Sequence, residues 1–270
     1  MSEGTPSDSH RPSLDPGERL SPQIARLIRE LIMNGEAKGH SWLRTEHLGS
    51  RFGVSATPVR EALMSLHGEG LVSFHPGRGF QVVPMTRQDL LDLYDAQAHF
   101  AGELTSRAAP LLTDQDLELL QQMQQDLIRA LEEGDGVGAE SIEIGLHRVI
   151  NVAADAPKLR WLLKSTTRYA PFRSWSSVPH WSTAAPDDHL LILRSLERRS
   201  ATTAGAAMTA HIHNVADLLA DHLMERGVLV EDHEAAPDRM RSHLADVSRR
   251  AGSRLPGRRD RPAPGSPPAR

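Results

Sequence analysis

Apolar positions in the first third of the chain follow a helical period. Ile24, Ile28 and Leu31 recur at spacings of three and four residues and predict a first helix. The same spacing predicts a second helix near residues 45–52 and a third over residues 57–68. Glycines follow the second and third of these stretches, where a helix often ends in a left-handed turn. Three short helices in succession are therefore expected.

A hairpin pattern follows the third helix. Residues 71–74 and 80–83 are rich in aliphatic and aromatic side chains, and the glycine-rich run 75–79 separates them. Helix, helix, turn, helix and hairpin is the element order of a winged helix-turn-helix. The sequence therefore predicts such a domain over residues 21–84.

The pattern then becomes purely helical between residues 85 and 227. Six stretches with helical spacing are separated by proline and glycine breaks. They cover about 86–110, 113–133, 137–154, 157–174, 186–199 and 202–226, with a loop predicted over 175–185. Six helices without strands predict a helical bundle. The expected fold class is mainly α, with an N-terminal winged helix-turn-helix and a C-terminal all-helical bundle.

The two ends of the chain differ in composition from these segments. Residues 1–20 are polar and contain three prolines, which predicts a disordered leader rather than a secretory signal. Residues 228–270 become rich in Arg and Pro and are predicted to be a disordered tail. The arginines of this tail also allow nonspecific contacts with DNA.

Composition narrows the classes of protein that fit. The chain has no cysteine, which excludes disulfides, thiolate metal sites and cysteine nucleophiles. No apolar run approaches the length of a membrane span, so a soluble cytoplasmic protein without a membrane partner is expected. Residues 1–85 carry nine Lys/Arg and nine Asp/Glu, whereas residues 86–230 carry 13 and 20. Because the first domain is neutral, a prediction of DNA binding must rest on its motif rather than on bulk charge.

Hydroxyl and arginine side chains lie at the start of the third helix. Ser55 and Thr57 stand at its N-terminus, where hydroxyls and free backbone N–H groups suit phosphate oxygens or base edges. Arg60 lies about one turn further on and can contact phosphate or guanine. The alternative is that Arg60 pairs with Glu61 or Glu69 on a solvated face.

Further candidates for DNA contact flank this helix. Arg44 precedes the second helix and is expected to contact the DNA backbone. Gly77 lies in the hairpin turn and allows close approach to DNA, while Arg78 can reach toward the minor groove.

These motifs carry a resemblance to a known family. The run Gly-Val-Ser-Ala-Thr-Pro-Val-Arg-Glu-Ala-Leu at 53–63 resembles the recognition helix of GntR-family regulators, and His-Pro-Gly-Arg-Gly-Phe at 75–80 resembles their wing. The resemblance covers about residues 21–84 and implies a transcription regulator that binds double-stranded operator DNA as a homodimer. Ala56 departs from the pattern, because many members carry a basic residue there; one expected DNA contact is therefore missing.

Histidines and one acidic residue recur in the helical segment. Glu143 and His147 are four residues apart on the third bundle helix and point the same way, although such a pair alone is common on surfaces. Together with His189 and His211 they resemble the FCD ligand-binding domain, closest to its six-helix VanR-like branch, over about residues 86–226. The resemblance implies that these four residues hold a divalent metal ion, zinc or nickel by their chemistry. Glu143 stands where the family usually has aspartate.

The resemblance also implies a small-molecule effector. Arg168 on the fourth bundle helix can meet a carboxylate or lie on a solvated face. The expected function is thus a transcription regulator whose operator affinity responds to a small organic acid. Two alternatives stay open: a metal-dependent enzyme that uses the His/Glu centre, and a regulator whose bundle serves only for dimerisation. An enzyme is not expected, because no further base lies at an interpretable spacing from the four residues.

Overall fold

The computed structural model describes residues 14–167 and 175–231. The N-terminal elements in these ranges are α1 (Leu20–Met33), β1 (Trp42–Leu43), α2 (Thr45–Phe52), α3 (Ala56–Gly68), β2 (Val72–His75), β3 (Gly79–Val82) and β4 (Met85–Thr86). They are followed by α4 (Arg87–Ala108), α5 (Asp114–Glu132), α6 (Gly136–Ala153), α7 (Pro157–Thr166), a 3₁₀ turn (Trp175–Ser177), α8 (Trp181–Glu197), α9 (Ala201–Glu225) and β5 (Leu229–Val230). The mainly α fold class is confirmed.

The N-terminal elements form a winged helix-turn-helix. Strands β1, β3 and β2 make an antiparallel sheet in that order, with Phe74 opposite Phe80 in the hairpin. Ile24, Ile28 and Leu63 are fully buried in the same cluster as Phe80, so the three helices and the sheet share one core. Strand β1 was not predicted, because two residues are too short to show a period.

The start of α3 differs slightly from the prediction. Ser55, rather than Thr57, occupies the N-cap position, with extended backbone and no side-chain capping hydrogen bond. Thr57 and Pro58 belong to the first turn, where a proline costs little because those backbone N–H groups lack helical partners. Gly53 ends α2 with φ of 70°, the left-handed conformation expected for this turn.

Helices α4 and α9 form the centre of the bundle. They run in opposite directions, since Arg87 near the start of α4 pairs with Asp221 near the end of α9. Gly102 and Gly205 lie where the two backbones approach most closely: a Cβ at Gly205 would lie 2.9 Å from Gly102 O. Hydroxyl caps start α4 and α5, where Thr86 and Thr113 each accept a hydrogen bond from the third helical N–H.

Helix α8 begins earlier than predicted. The sequence pattern predicts a loop over residues 175–185 and a helix from residue 186, but α8 begins at Trp181 and Pro186 lies inside it. Trp181 is only 2% exposed and packs in a buried cluster that also contains Leu90 and Val178. This burial stabilises the first turn, and a proline so near the N-terminus removes a single helical hydrogen bond.

A short parallel strand pair joins the two ends of the bundle domain. Met85 of β4 lies opposite Leu229 of β5, and Leu229 is only 3% exposed. The composition predicts that residues 228–231 belong to the tail, whereas Leu229 and Val230 form β5, which pairs with β4 beside the interdomain link. Residues 1–13 and 232–270 of the predicted leader and tail lie outside the described residues. Within the described ranges, no helix is long and apolar enough to cross a membrane.

Candidate metal centre and nucleic-acid interface

Three helices bring four potential metal ligands together. Glu143 and His147 lie one turn apart on α6, His189 lies on α8 and His211 on α9. One ligand atom from each of the four side chains lies within 4.8 Å of all the others. The residues singled out in the sequence therefore form one spatial cluster.

The geometry of the cluster is organised around one carboxylate oxygen. Glu143 Oε1 lies 3.2 Å from His147 Nε2, 3.3 Å from His189 Nε2 and 3.6 Å from His211 Nε2. The His189 and His211 side chains are 0% and 2% exposed, while those of Glu143 and His147 are 13% and 18% exposed. The cluster thus lies inside the bundle, with its more open side at α6.

Two residues outside the predicted set contact the imidazoles from behind. Gln124 Oε1 on α5 lies 3.1 Å from His189 Nδ1. Asp188 Oδ2 on α8 lies 3.3 Å from His211 Nδ1. The position of Asp188 next to His189 was visible in the sequence, but nothing there indicated that it faces His211; Gln124 carried no signal at all.

Electrostatics favour the ligating forms of two of these residues. Burial alone raises the pKa of Glu143, but the electrostatic interaction with His189 and the contacts with all three imidazoles hold that pKa well below its usual range. Burial lowers the pKa of His147, and Glu143 opposes this only in part. A carboxylate and a neutral imidazole are therefore present on α6 near neutral pH.

His211 behaves differently. Burial acts to lower its pKa, but the hydrogen bond with Asp188 and the nearby carboxylate of Glu143 outweigh burial and raise the pKa above its ordinary value. The hydrogen bond from His211 in turn holds the pKa of Asp188 below its usual range. In the metal-free protein, His211 therefore retains a proton to higher pH than a free histidine.

The chemistry of the cluster fits a divalent metal ion. Glu143 Oε2 and His189 Nε2 are buried and have no hydrogen-bond partner in the part of the chain that the structure describes. Leaving such atoms without a partner costs free energy, which a bound cation would offset. Three imidazole nitrogens and one carboxylate are donors that zinc, nickel and similar ions accept.

The candidate DNA-contacting residues of α3 lie on its exposed side. Ser55, Thr57 and Arg60 are all exposed. The Arg60 guanidinium carbon lies 5.8 Å from the centre of the Phe74 ring, a cation–π distance. Glu69 pairs with Arg29 at 2.7 Å, and no ion pair among the described residues joins Arg60 to Glu61 or Glu69.

The wing and the start of α2 carry the remaining candidates. Gly77 has φ of 77° in the turn between β2 and β3, where side-chain-bearing residues are strained. Arg78 N donates to His75 O at 3.0 Å and closes this turn. Arg44 occupies the N-cap position of α2. Arg44 and Arg78 are exposed, and neither forms an ion pair with any described residue.

Arg168, the predicted effector contact, lies outside the described residues. The neighbouring wall of the bundle is described as far as Thr167. There, Gln97 of α4 is buried and its Nε2 donates to Thr166 O at 3.5 Å. This amide connects α4 with the end of α7.

Two family models match the chain. The model "Bacterial regulatory proteins, gntR family" matches residues 20–82. The model "FCD domain" matches residues 92–214. The first range contains the winged helix-turn-helix, and the second contains all four residues of the candidate metal centre.

Known proteins with similar sequences cover most of the chain. The HTH-type transcriptional repressor RspR of Escherichia coli (strain K12) is 26% identical over 213 residues, which are 76% of this chain and 90% of RspR. The HTH-type transcriptional regulator LutR of Bacillus subtilis (strain 168) is 26% identical over 222 residues, 72% of this chain and 99% of LutR. The solved structure of E. coli McbR/YncC has a TM-score of 0.59 at 21% identity and covers 76% of this chain and 99% of that one.

A winged helix-turn-helix joined to an FCD-type helical domain defines a DNA-binding transcription regulator. This chain belongs to the GntR family of regulators, in the group that carries an FCD domain. Its relatives are named as regulators rather than enzymes, and nothing in the comparisons supports the enzyme alternative.

Proposed function

We propose that the protein regulates transcription by binding operator DNA as a homodimer, and that a metal-bound organic acid modulates this binding. The single observation that carries the proposal is the buried cluster of Glu143, His147, His189 and His211 in the domain that follows a DNA-binding unit. A cluster of this kind is costly to maintain without a ligand, because buried charged groups require partners.

In the proposed complex, each protomer inserts the N-terminal end of α3 into the major groove. Ser55, Thr57 and Arg60 are the contacts on this helix, while Arg44 contacts the backbone. The exposure of all four side chains supports this assignment. Gly77 and Arg78 place the wing beside the adjacent groove. A two-fold dimer would match the two halves of a palindromic operator.

The four residues of the cluster would hold the ion in the bundle, as zinc or nickel by the chemistry of the donors. A bound divalent ion supplies a positive charge and can accept oxygen ligands from a carboxylate. We propose a small organic acid as effector because it matches this chemistry; Arg168 is the candidate for a second contact. An effector that binds one arrangement of the dimer more tightly shifts operator affinity by the ratio of its two affinities.

The DNA-binding part is tested with the purified protein and the DNA that flanks its own gene. A gel-shift titration at low salt, where phosphate contacts are strongest, is expected to show a retarded complex, and footprinting is expected to show a two-fold symmetric site. Absence of any retardation at low salt would overturn the operator assignment.

The metal part is tested by elemental analysis of protein purified without chelators. Near-stoichiometric zinc or nickel is expected in the wild type, and His147→Ala and His189→Ala should each lower the content. The matched control is replacement of the exposed His213, which pairs with Asp95 at 3.2 Å on the outside of the bundle. This replacement should leave the metal content unchanged. Equal metal content in all of these proteins would contradict the proposed site.

The effector part is tested by thermal shift of the metal-loaded protein against a panel of organic acids. A carboxylate that raises the melting temperature should also change operator affinity in the gel-shift assay, because the binding of the effector and the binding of DNA are thermodynamically linked. A protein that binds metal and DNA but responds to no acid of any class would favour a bundle that serves only for dimerisation.

A further inference from the structure

We propose that Gln124 and Asp188 are positioning residues for the metal centre, which orient His189 and His211 so that their Nε2 atoms face the ion. The inference rests on the metal site proposed above and adds two residues that the ligand set does not include. In metal sites generally, the second ring nitrogen of a ligating histidine is held by a hydrogen-bond acceptor that fixes the ring and its tautomer.

The orientation of Gln124 follows from its two partners. Its Nε2 donates to Pro186 O at 3.0 Å, and a carbonyl oxygen can only accept. The amide oxygen of Gln124 must therefore point the other way, toward His189 Nδ1 at 3.1 Å. Since this oxygen is also an acceptor, His189 Nδ1 carries the proton and its Nε2 keeps a free lone pair. Gln124 is 4% exposed, so water does not substitute easily for this contact.

Asp188 acts on His211 in the same way but with a charge. Its Oδ2 lies 3.3 Å from His211 Nδ1, and an ionised carboxylate only accepts hydrogen bonds. Asn214 Nδ2 lies 3.2 Å from both carboxylate oxygens and holds the Asp188 side chain in place. A carboxylate behind a ligating imidazole fixes its tautomer and makes it a stronger electron donor.

The third histidine has no such support. His147 Nδ1 has no hydrogen-bond partner among the residues that the structure describes, and its side chain is 18% exposed. The centre is therefore asymmetric: the imidazoles on α8 and α9 are held from behind, whereas the imidazole on α6 has, among the described residues, only Glu143 as a hydrogen-bond partner, on its Nε2 side. The positioning role of Gln124 and Asp188 concerns the two ligands that are almost fully buried.

The experiment measures metal affinity by competition with a chromogenic chelator, using the full-length protein loaded with Zn²⁺. Gln124→Leu and Asp188→Ala are each expected to weaken Zn²⁺ binding by about 10- to 100-fold. Asp188→Asn retains an oxygen acceptor without the charge, so its affinity should lie between those of Asp188→Ala and the wild type. Gln122→Leu and Asp187→Ala, at exposed neighbouring positions, are the matched controls and should bind like the wild type.

A second readout separates positioning from folding. The absorption spectrum of the Co²⁺-loaded protein reports ligand geometry, and it should change in Gln124→Leu and Asp188→Ala but not in the two controls. Circular dichroism of the metal-free variants checks that the helices are retained. Affinities within about twofold of wild type together with unchanged Co²⁺ spectra would overturn the positioning role. Failure of the wild type itself to bind Zn²⁺ or Co²⁺ would instead contradict the metal centre proposed above.

Discussion

At the scale of single residues, spacing and the family resemblance together indicated the four candidate ligands but not the residues that contact them from behind. Glu143 and His147 are four residues apart, so helical geometry alone places them together. His189 and His211 could be added only through the family resemblance, because they lie on other helices. Gln124 is 65 residues from the histidine it contacts, and an amide is an ordinary residue on a polar helix face. Contacts of this kind depend on tertiary packing, which no local pattern records.

The opposing pKa shifts within the cluster predict how metal binding depends on pH. The pKa of His211 is raised in the metal-free protein, so the ion has to displace a proton from it up to a higher pH than from a free histidine. Glu143 stays ionised throughout, because its pKa is held well below the usual range. Apparent Zn²⁺ affinity should therefore keep rising with pH through and beyond the ordinary histidine pKa of about 6.5, by up to about tenfold per unit for one displaced proton. Chelator competition across this range, with the chelator calibrated at each pH, is the measurement; a flat profile would be incompatible with a protonated His211.

Arg60 carries the second prediction at this scale. Its guanidinium lies over Phe74 and forms no ion pair with a described residue, so it remains available to DNA. Arg60→Ala should weaken operator binding about 5- to 150-fold, as expected for loss of about 1–3 kcal/mol at one base or phosphate contact. Arg129→Ala on α5, an exposed arginine of the bundle, is the control. Fluorescence anisotropy with a labelled operator fragment measures the dissociation constants of the wild type and the variants. Equal affinity of the wild type and Arg60→Ala would show that Arg60 does not contact the DNA.

At the scale of elements, periodicity was most informative where elements are long. The helices of the bundle and the hairpin strands appear near their predicted positions, because each buries one face over several turns or alternates over four residues. The early start of α8 was missed because Pro186 was interpreted as a helix boundary, whereas the burial of Trp181 extends the helix before it. Strands β1, β4 and β5 have two residues each, which is too short to show a period in the sequence. Such strands form only by pairing with a neighbouring strand.

The crossing of α4 and α9 yields a prediction for one element pair. A Cβ at Gly205 would lie 2.9 Å from Gly102 O and 3.0 Å from Ser106 Cβ, so the backbones must separate to accept it. Gly205→Ala should therefore lower the free energy of unfolding by about 1–3 kcal/mol. The control is Gly68→Ala at the end of α3, where an added Cβ meets nothing within 4 Å and should be neutral or stabilising by up to about 1 kcal/mol. Urea denaturation of both variants measures the difference, and equal stabilities would show that the crossing tolerates a methyl group.

At the scale of the whole molecule, the two domains are joined by more than the chain link. Met33 at the end of α1 is 2% exposed and belongs to the same buried cluster as Leu90, Leu223 and Leu229. Arg226 Nη2 also donates to the backbone oxygen of Asn34 at 3.2 Å. The end of α9, the helix that carries His211, is thus packed against the first helix of the DNA-binding domain. The sequence predicted both domains but not this contact, because Met33, Leu90 and Leu223 lie on separate helices and Leu229 lies in the segment predicted to be a tail.

The last prediction concerns this shared cluster. Leu229 is 3% exposed, lies on β5 opposite Met85 and packs in the cluster that contains Met33. Leu229→Ala should lower the free energy of unfolding by about 2–5 kcal/mol, the usual cost of truncating a buried leucine. Leu111→Ala, at a position that is 55% exposed, is the control and should change the same quantity by less than about 0.5 kcal/mol. The measurement is urea denaturation followed by both tryptophan fluorescence and circular dichroism.

Two probes are needed because they distinguish one unfolding unit from two. If the cluster ties the domains together, both probes should report a single transition in the wild type, and Leu229→Ala should shift it or split it. Trp42 lies in the DNA-binding domain and Trp181 in the bundle, so single-tryptophan versions can assign each transition to its domain. Two separate transitions already in the wild type, with only the bundle affected by Leu229→Ala, would mean that the packing of Met33 against β5 contributes nothing to the stability of the DNA-binding domain.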